Sequence, residues 1–224
     1  MDYVFQFSVV EREFDHLLLG AWLTIKLSAG AMLLGLIVGI ACAVARQSRF
    51  APLRATVQAY VEAVRNTPFL VQLLLVYLGL PSIGIRLLPG EAALLAMVVN
   101  VGAYATEIVR AGIESVPRHQ VEAARALGLE PWQVLRFVVL VPALRAVFPA
   151  LGSQFILIML ASSVVSVISA EELTAVTDMI VARNFRSFEF YLTATAMYLA
   201  MAFGFQAIFA MIDRWLFAPW SRHA

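Results

Sequence analysis

Charge is scarce in this 224-residue chain. Asp, Glu, Lys and Arg supply 14% of it, against ~25% in ordinary water-soluble domains. Hydrophobic residues supply 62%. A water-soluble fold has no means of hiding that much apolar surface, and the chain is too rich in aliphatics for intrinsic disorder. Cysteine is nearly absent. Cys42 is the single one, which excludes an intramolecular disulfide scaffold and any thiolate zinc cluster built within the chain. There is no glycine-rich phosphate loop of the Walker form, so the chain is not expected to bind ATP itself. Histidines stand at 16, 119 and 223, and no His/Glu/Asp group has metal-ligand spacing. No nucleophile–base arrangement occurs, so an enzymatic role has no residues to carry it.

Long uncharged runs are present instead. Residues 27–45, 66–85, 92–106, 146–170 and 190–212 contain no Asp, Glu, Lys or Arg. The third run continues through Ile108 and Val109 past an interrupting Glu107. About 20 helical residues at ~1.5 Å each cross a hydrocarbon core of ~30 Å. The pattern therefore predicts an all-α integral membrane protein with five transmembrane helices and a membrane domain over residues 20–216. Residues 1–19 carry Asp2, Glu11, Glu13 and Asp15 against Arg12. A cleavable signal peptide would begin positive and then run apolar. This stretch reads as a short helix at the membrane surface.

Arginine placement orients the chain, because cytoplasmic loops collect Lys and Arg. Arg46, Arg49 and Arg54 follow the first span. Arg118, Arg125, Arg136 and Arg145 follow the third. Arg214 and Arg222 close the chain, in and before a tail at 217–224. The opposite loops are poorer: Arg12 and Arg86 stand in two of them. In the third, Glu171, Glu172, Asp178 and Glu189 offset Arg183 and Arg186. The N-terminus is thus expected outside and the C-terminus inside, with residues 115–142 in the cytoplasm.

That cytoplasmic segment has clear helix punctuation. Pro117 suits a first helical position, alanines and Leu127 favour helix, Gly128 suits the left-handed residue that ends one, and Pro131 can open the next. A helix this short is marginal alone in water, and its small alanines permit close approach of another surface. A plain linker between spans is the other reading of the same residues.

Glu122-Ala123-Ala124, followed by Gly128 and later by Val141-Pro142, resembles the EAA signature of ABC importer permeases. Arg65-Asn66-Thr67-Pro68-Phe69-Leu70 resembles the R-G-T-P start of span two in the polar amino acid (histidine/glutamine-type) subfamily. The run from Gly102 through Tyr104 and Glu107 to Arg110 resembles that subfamily's G-A-Y-x-x-E-x-x-R, and residues 182–191 resemble the lead into its last span. The resemblance covers residues 18–216 and implies a type I ABC importer transmembrane domain. It further implies that Glu122, Ala123, Ala124 and Gly128 form the coupling helix seated in an ATPase subunit, which holds ATP and Mg. Other implied partners are a second permease chain, an extracytoplasmic solute-binding protein, and a polar or charged amino acid, or an opine, as substrate. Asn66, His119 and Leu160 depart from the pattern. Relatives carry glycine at the first two positions and often a lysine at the third.

Ionisable groups inside a span are costly and mark function by default. Glu107 and Arg110 sit at i,i+3 and can pair. Alternatively, Glu107 faces the path with Tyr104, one turn earlier, and attracts a substrate ammonium. Arg65 precedes Thr67-Pro68 and reaches either the carbonyl freed by the proline or the interface. Lys26 opens span one and suits snorkelling. Ser162, Ser166 and Ser169 would share one α-helical face, lining the path or packing helices. A stand-alone channel or secondary transporter for small polar solutes is the alternative function. Against it, the spans show no internal repeat.

Overall fold

A computed structural model describes residues 4–217, so Arg222, His223 and most of the 217–224 tail lie outside the described residues. Within them the chain is a bundle of helices. Four are long and apolar enough to cross a membrane: α1 (Ser8–Ala45), α4 (Pro89–Glu114), α6 (Pro131–Ile168) and α8 (Ser187–Phe217). A bent pair, α2 (Ala51–Arg65) and α3 (Phe69–Ile83), bent by 112°, together has the length and apolar composition of a fifth. Two short helices complete the set: α5 (Arg118–Ala126) and α7 (Leu173–Asn184).

The spans run further than the uncharged stretches. Residues 8–19, expected to form a surface helix of their own, are the first turns of α1. Likewise α6 begins at Pro131, well before residue 146. An arginine or lysine ends an uncharged run, but its long stem lets the head reach water while the helix continues. Gly30 lies against Leu94, so Lys26, one turn earlier and exposed, is level with the first turn of α4.

α1 and α4 run side by side in the same direction. Their contact requires glycine: a Cβ on Gly35 would stand 2.6 Å from the Val101 side chain, and one on Gly39 would stand 2.5 Å from Ala105 Cβ. Without a side chain at these two positions the backbones meet closely, which is how helices associate where lipid removes the hydrophobic drive. Ala31, Leu73, Ala93, Met97, Phe155 and Met159 fill the main core between α1, α3, α4 and α6. A second core joins the first half of α1 to α7 and α8 through Leu17, Ala21, Leu173, Val176 and Phe190.

Two breaks shape the bundle. At Thr67-Pro68 the proline removes an amide and turns the chain. The Val64 carbonyl is then taken by the Gln72 side chain at 2.7 Å, and the same amide donates to the Thr67 carbonyl at 3.0 Å. Beyond Leu74 the α3 limb continues as a π-helical turn and a 3₁₀ turn to Ile83. The second break follows Ile168, where Ser169 adopts a left-handed φ of 58° before α7 begins.

Candidate functional site

α5 is built as its sequence dictates. Pro117 enters it in extended conformation, φ −61° and ψ 130°. Gly128 leaves it at φ +82°. The Gly128 amide donates to Arg125 O at 3.0 Å, and the Leu129 amide to Ala124 O at 3.2 Å. This paired closure is the Schellman arrangement, which favours glycine at the left-handed position. Gln133 then accepts from the Glu130 amide at 2.8 Å and starts α6.

The EAA residues divide around this helix. Ala124 is buried, whereas Glu122 and Ala123 are exposed. Leu127, one turn beyond Ala123, is 80% exposed. Ala123 and Leu127 therefore form an uncovered apolar step on a helix of nine residues. In the sequence Leu127 marks only a good helix former. Its place one turn from Ala123 was the available signal that it shares that face.

Behind α5 lies a cavity of about 790 Å³ lined by Arg46, Arg110, Glu114, Arg118, Glu122 and Arg125 among others. Arg46 is also shared with a smaller cavity of about 340 Å³, which Arg65, Tyr104 and Glu107 line. Beside the shared Arg46, the Glu107 carboxylate lines the smaller cavity. Arg46, the residue closing α1, donates to Oε1. Arg110 donates to Oε2 from both Nε (3.1 Å) and Nη2 (2.8 Å). Arg65 Nη1 stands 3.9 Å from Oε2, with its guanidinium 5.5 Å from the Tyr104 ring centre. Arg110 also reaches Glu114 at 2.5 Å. Such bonds between ionised partners are the stronger kind, and the pairing lets charge sit among apolar helices.

Some expectations change here. The Glu107–Arg110 pair is present, but two further arginines join it. Arg65 does not bond the carbonyl freed by Pro68. Gln72, four residues past the proline, takes it instead. The serines do not share a face. Residues 162–168 form a 3₁₀ helix, whose three-residue period aligns Ser162 with Val165 and Ile168, all three buried. Ser166 falls on another side, and Ser169 is the left-handed turn. Ser162 and Ser166 donate to Met159 O (2.7 Å) and Ser163 O (2.8 Å). Neither lines the cavity with Tyr104 and Glu107.

Two functional candidates escaped the sequence reading. Asn100 is buried on α4, and its Nδ2 donates to Gln72 Oε1 at 3.0 Å. Asn100, Tyr104 and Glu107 fall at i, i+4 and i+7, a spacing that marks one helix face.

Over residues 33–218 the chain matches the family described as "Binding-protein-dependent transport system inner membrane component". It is 35% identical over 209 residues to the L-cystine transport system permease protein of Bacillus subtilis, covering 92% of this chain and 89% of that one. It is 32% identical over 212 residues to the glutamine transport system permease protein of Escherichia coli, covering 94% and 97%. It is 31% identical over 219 residues to the nopaline transport system permease protein of Agrobacterium fabrum, covering 93% and 91%. A crystal structure of an amino acid ABC transporter with histidines superposes with a TM-score of 0.90, at 34% identity, covering 95% of this chain and 99% of that one. The inward-facing MetNI methionine ABC transporter shares the fold, with a TM-score of 0.76 at 22% identity, covering 92% and 98%.

Proposed function

Since this chain belongs to the binding-protein-dependent transport system inner membrane components, we propose that it forms half of an amino acid import path and is driven through α5. It is a permease subunit of an ABC importer, a multi-pass protein of the bacterial inner membrane. It is not itself an enzyme; ATP hydrolysis is the work of a separate subunit. Family membership sets aside the stand-alone channel or secondary transporter.

In the proposed assembly two permease chains, identical or homologous, enclose the path. Two ATPase subunits lie inside and hold ATP and Mg, and a solute-binding protein delivers substrate outside. The N-terminus faces out and residues 115–142 face in. The relatives named above carry glutamine, cystine and nopaline by their names, which favours a polar or charged amino acid or an opine here. Glu122, Ala123, Ala124 and Gly128 are the coupling residues. ATP binding draws the ATPase subunits together and carries α5 with them. Net import then follows only because the two resulting states hold substrate with different affinity.

The observation that carries this reading is the uncovered Ala123–Leu127 step on a short, firmly closed helix. A thiol at Ala123, placed in a Cys42→Ser background, should cross-link to the ATPase subunit in membranes. Full import with no such product under any cross-linker length would end the proposal.

A further inference from the structure

Asn100, Tyr104 and Glu107 lie on one face of α4, and each meets the α2–α3 bend. Asn100 holds Gln72, which in turn holds the two carbonyls at the break. Tyr104 lies against the Arg65 guanidinium, and Glu107 lies 3.9 Å from it. The same Glu107 fixes Arg46 at the end of α1 and Arg110 on its own helix. Arg110 passes one turn further to Glu114, and Arg46, Arg110 and Glu114 line the cavity behind α5 with Glu122 and Arg125. Polar contacts therefore lead from the bend to Glu114, the last residue of α4, and three residues of chain join Glu114 to the start of α5 at Arg118.

The receiving end is deformable. The α3 limb past Leu74 is made of a π turn and a 3₁₀ turn, geometries that mark adjustable stretches in helices. Side chains alone would absorb a small displacement by changing rotamer. A carboxylate gripped from three elements removes that slack, because every arginine must move with it.

We propose that Glu107 is a positioning residue for transport: it fastens the end of α1 and the bend of span two to α4, so that displacement of α5 changes the bend angle. The inference rests on the reading of α5 as the coupling helix. It assigns Glu107 a mechanical role in place of a substrate contact.

The test uses the assembled permease and ATPase in lipid nanodiscs, with Mg-ATP and vanadate as the probe. Nitroxides at Leu53 of α2 and Leu78 of α3, both exposed, report the bend. A second pair, from Gln120 to the ATPase, reports α5. In the wild type, trapping should shift both distance distributions. In Glu107→Gln the α5 shift should persist while the Leu53–Leu78 shift is lost. An undiminished Leu53–Leu78 shift in Glu107→Gln overturns the proposal, as does a wild-type bend that stays still while α5 moves. If Glu107→Gln fails to assemble, Arg65→Lys is read in its place. That change keeps the charge but removes the planar group over Tyr104. It should lose at least half of the bend shift, and a full shift overturns the proposal. Failure of the wild-type ATPase to associate, or an α5 that does not move, refutes the coupling reading instead.

Discussion

Glu107 and Glu172 are both carboxylates set among apolar helices, and their surroundings differ in kind. Glu107 keeps 19% of its side chain accessible and is held by three arginines. Glu172 is fully buried, and its partners are neutral. The Tyr198 hydroxyl donates to it at 2.5 Å and the Ala175 amide at 2.7 Å, so it caps the start of α7. Beside it the Leu173 amide donates to Thr24 Oγ1 of α1 at 3.0 Å. Burial raises the Glu172 carboxyl above its ordinary value, against the lowering effect of those hydrogen bonds. The comparison teaches where charge is tolerable. Near a helix end, long guanidinium stems arrive from several elements and keep water close. In a closed joint, the same group is held by donors that demand no ionisation.

The first way to break the comparison is truncation. Glu107→Ala leaves three arginines facing one another without their anion and should cost about 2–3 kcal/mol. Glu172→Ala strands a tyrosine hydroxyl and a capped amide and should cost about 2 kcal/mol. Thermal unfolding of purified protein in detergent measures both. A loss at Glu107 no larger than that of Arg65→Ala, its one exposed arginine partner, would dissolve the distinction.

A smaller effect sharpens it. Glu172→Gln keeps one acceptor, for the Ala175 amide, and sets its NH2 against the Tyr198 oxygen, which can donate to Thr174 instead; the side chain cannot ionise. Below the ordinary value of 4.5, Glu172 is protonated whether the chain is folded or not. As pH rises past that value, the unfolded chain releases the proton first, and wild-type stability falls until the raised folded value is passed. The difference in melting temperature, Glu172→Gln minus wild type, should therefore grow as pH rises from 4.5. A flat difference would show that the carboxyl ionises without penalty.

The smallest effect lies at the rim of the charged joint. Glu114 is 63% exposed and bonded to Arg110. Glu114→Gln should cost only about 0.3 kcal/mol, and added salt should erase the difference, because screening acts on exposed pairs within a Debye length of ~10 Å. A loss as large as that of Glu107→Ala would place Glu114 inside the cluster and not at its edge.

Much of this was legible in the sequence. Uncharged runs located the spans because lipid forbids charge over many consecutive residues. Pro117 and Gly128 bounded α5 because each has a backbone preference that acts locally. The Glu107–Arg110 pair followed from helical spacing alone. Arg46 did not, since 61 residues separate it from Glu107, and nothing local predicts that meeting. Asn100 and Gln72 are 28 residues apart and were hidden for the same reason. The serine stripe was misplaced because a period of 3.6 was assumed where the chain winds at three per turn. In the sequence Glu172 is only an acid offsetting two arginines, since burial is a property of the packed bundle.

One consequence follows from the kink at Pro68. From Phe69 to Ile83, the limb after it is only about 22 Å long even at ~1.5 Å per residue, less than the ~30 Å of hydrocarbon. The kink is thereby drawn toward oil, where no solvent is on hand to quench an open carbonyl. Gln72 does that quenching with its own amide, and Asn100 keeps it aimed. Swapping Gln72 for leucine would therefore do more than empty a polar niche: it would invite moisture, or a thinned patch of bilayer, to the elbow of the second crossing.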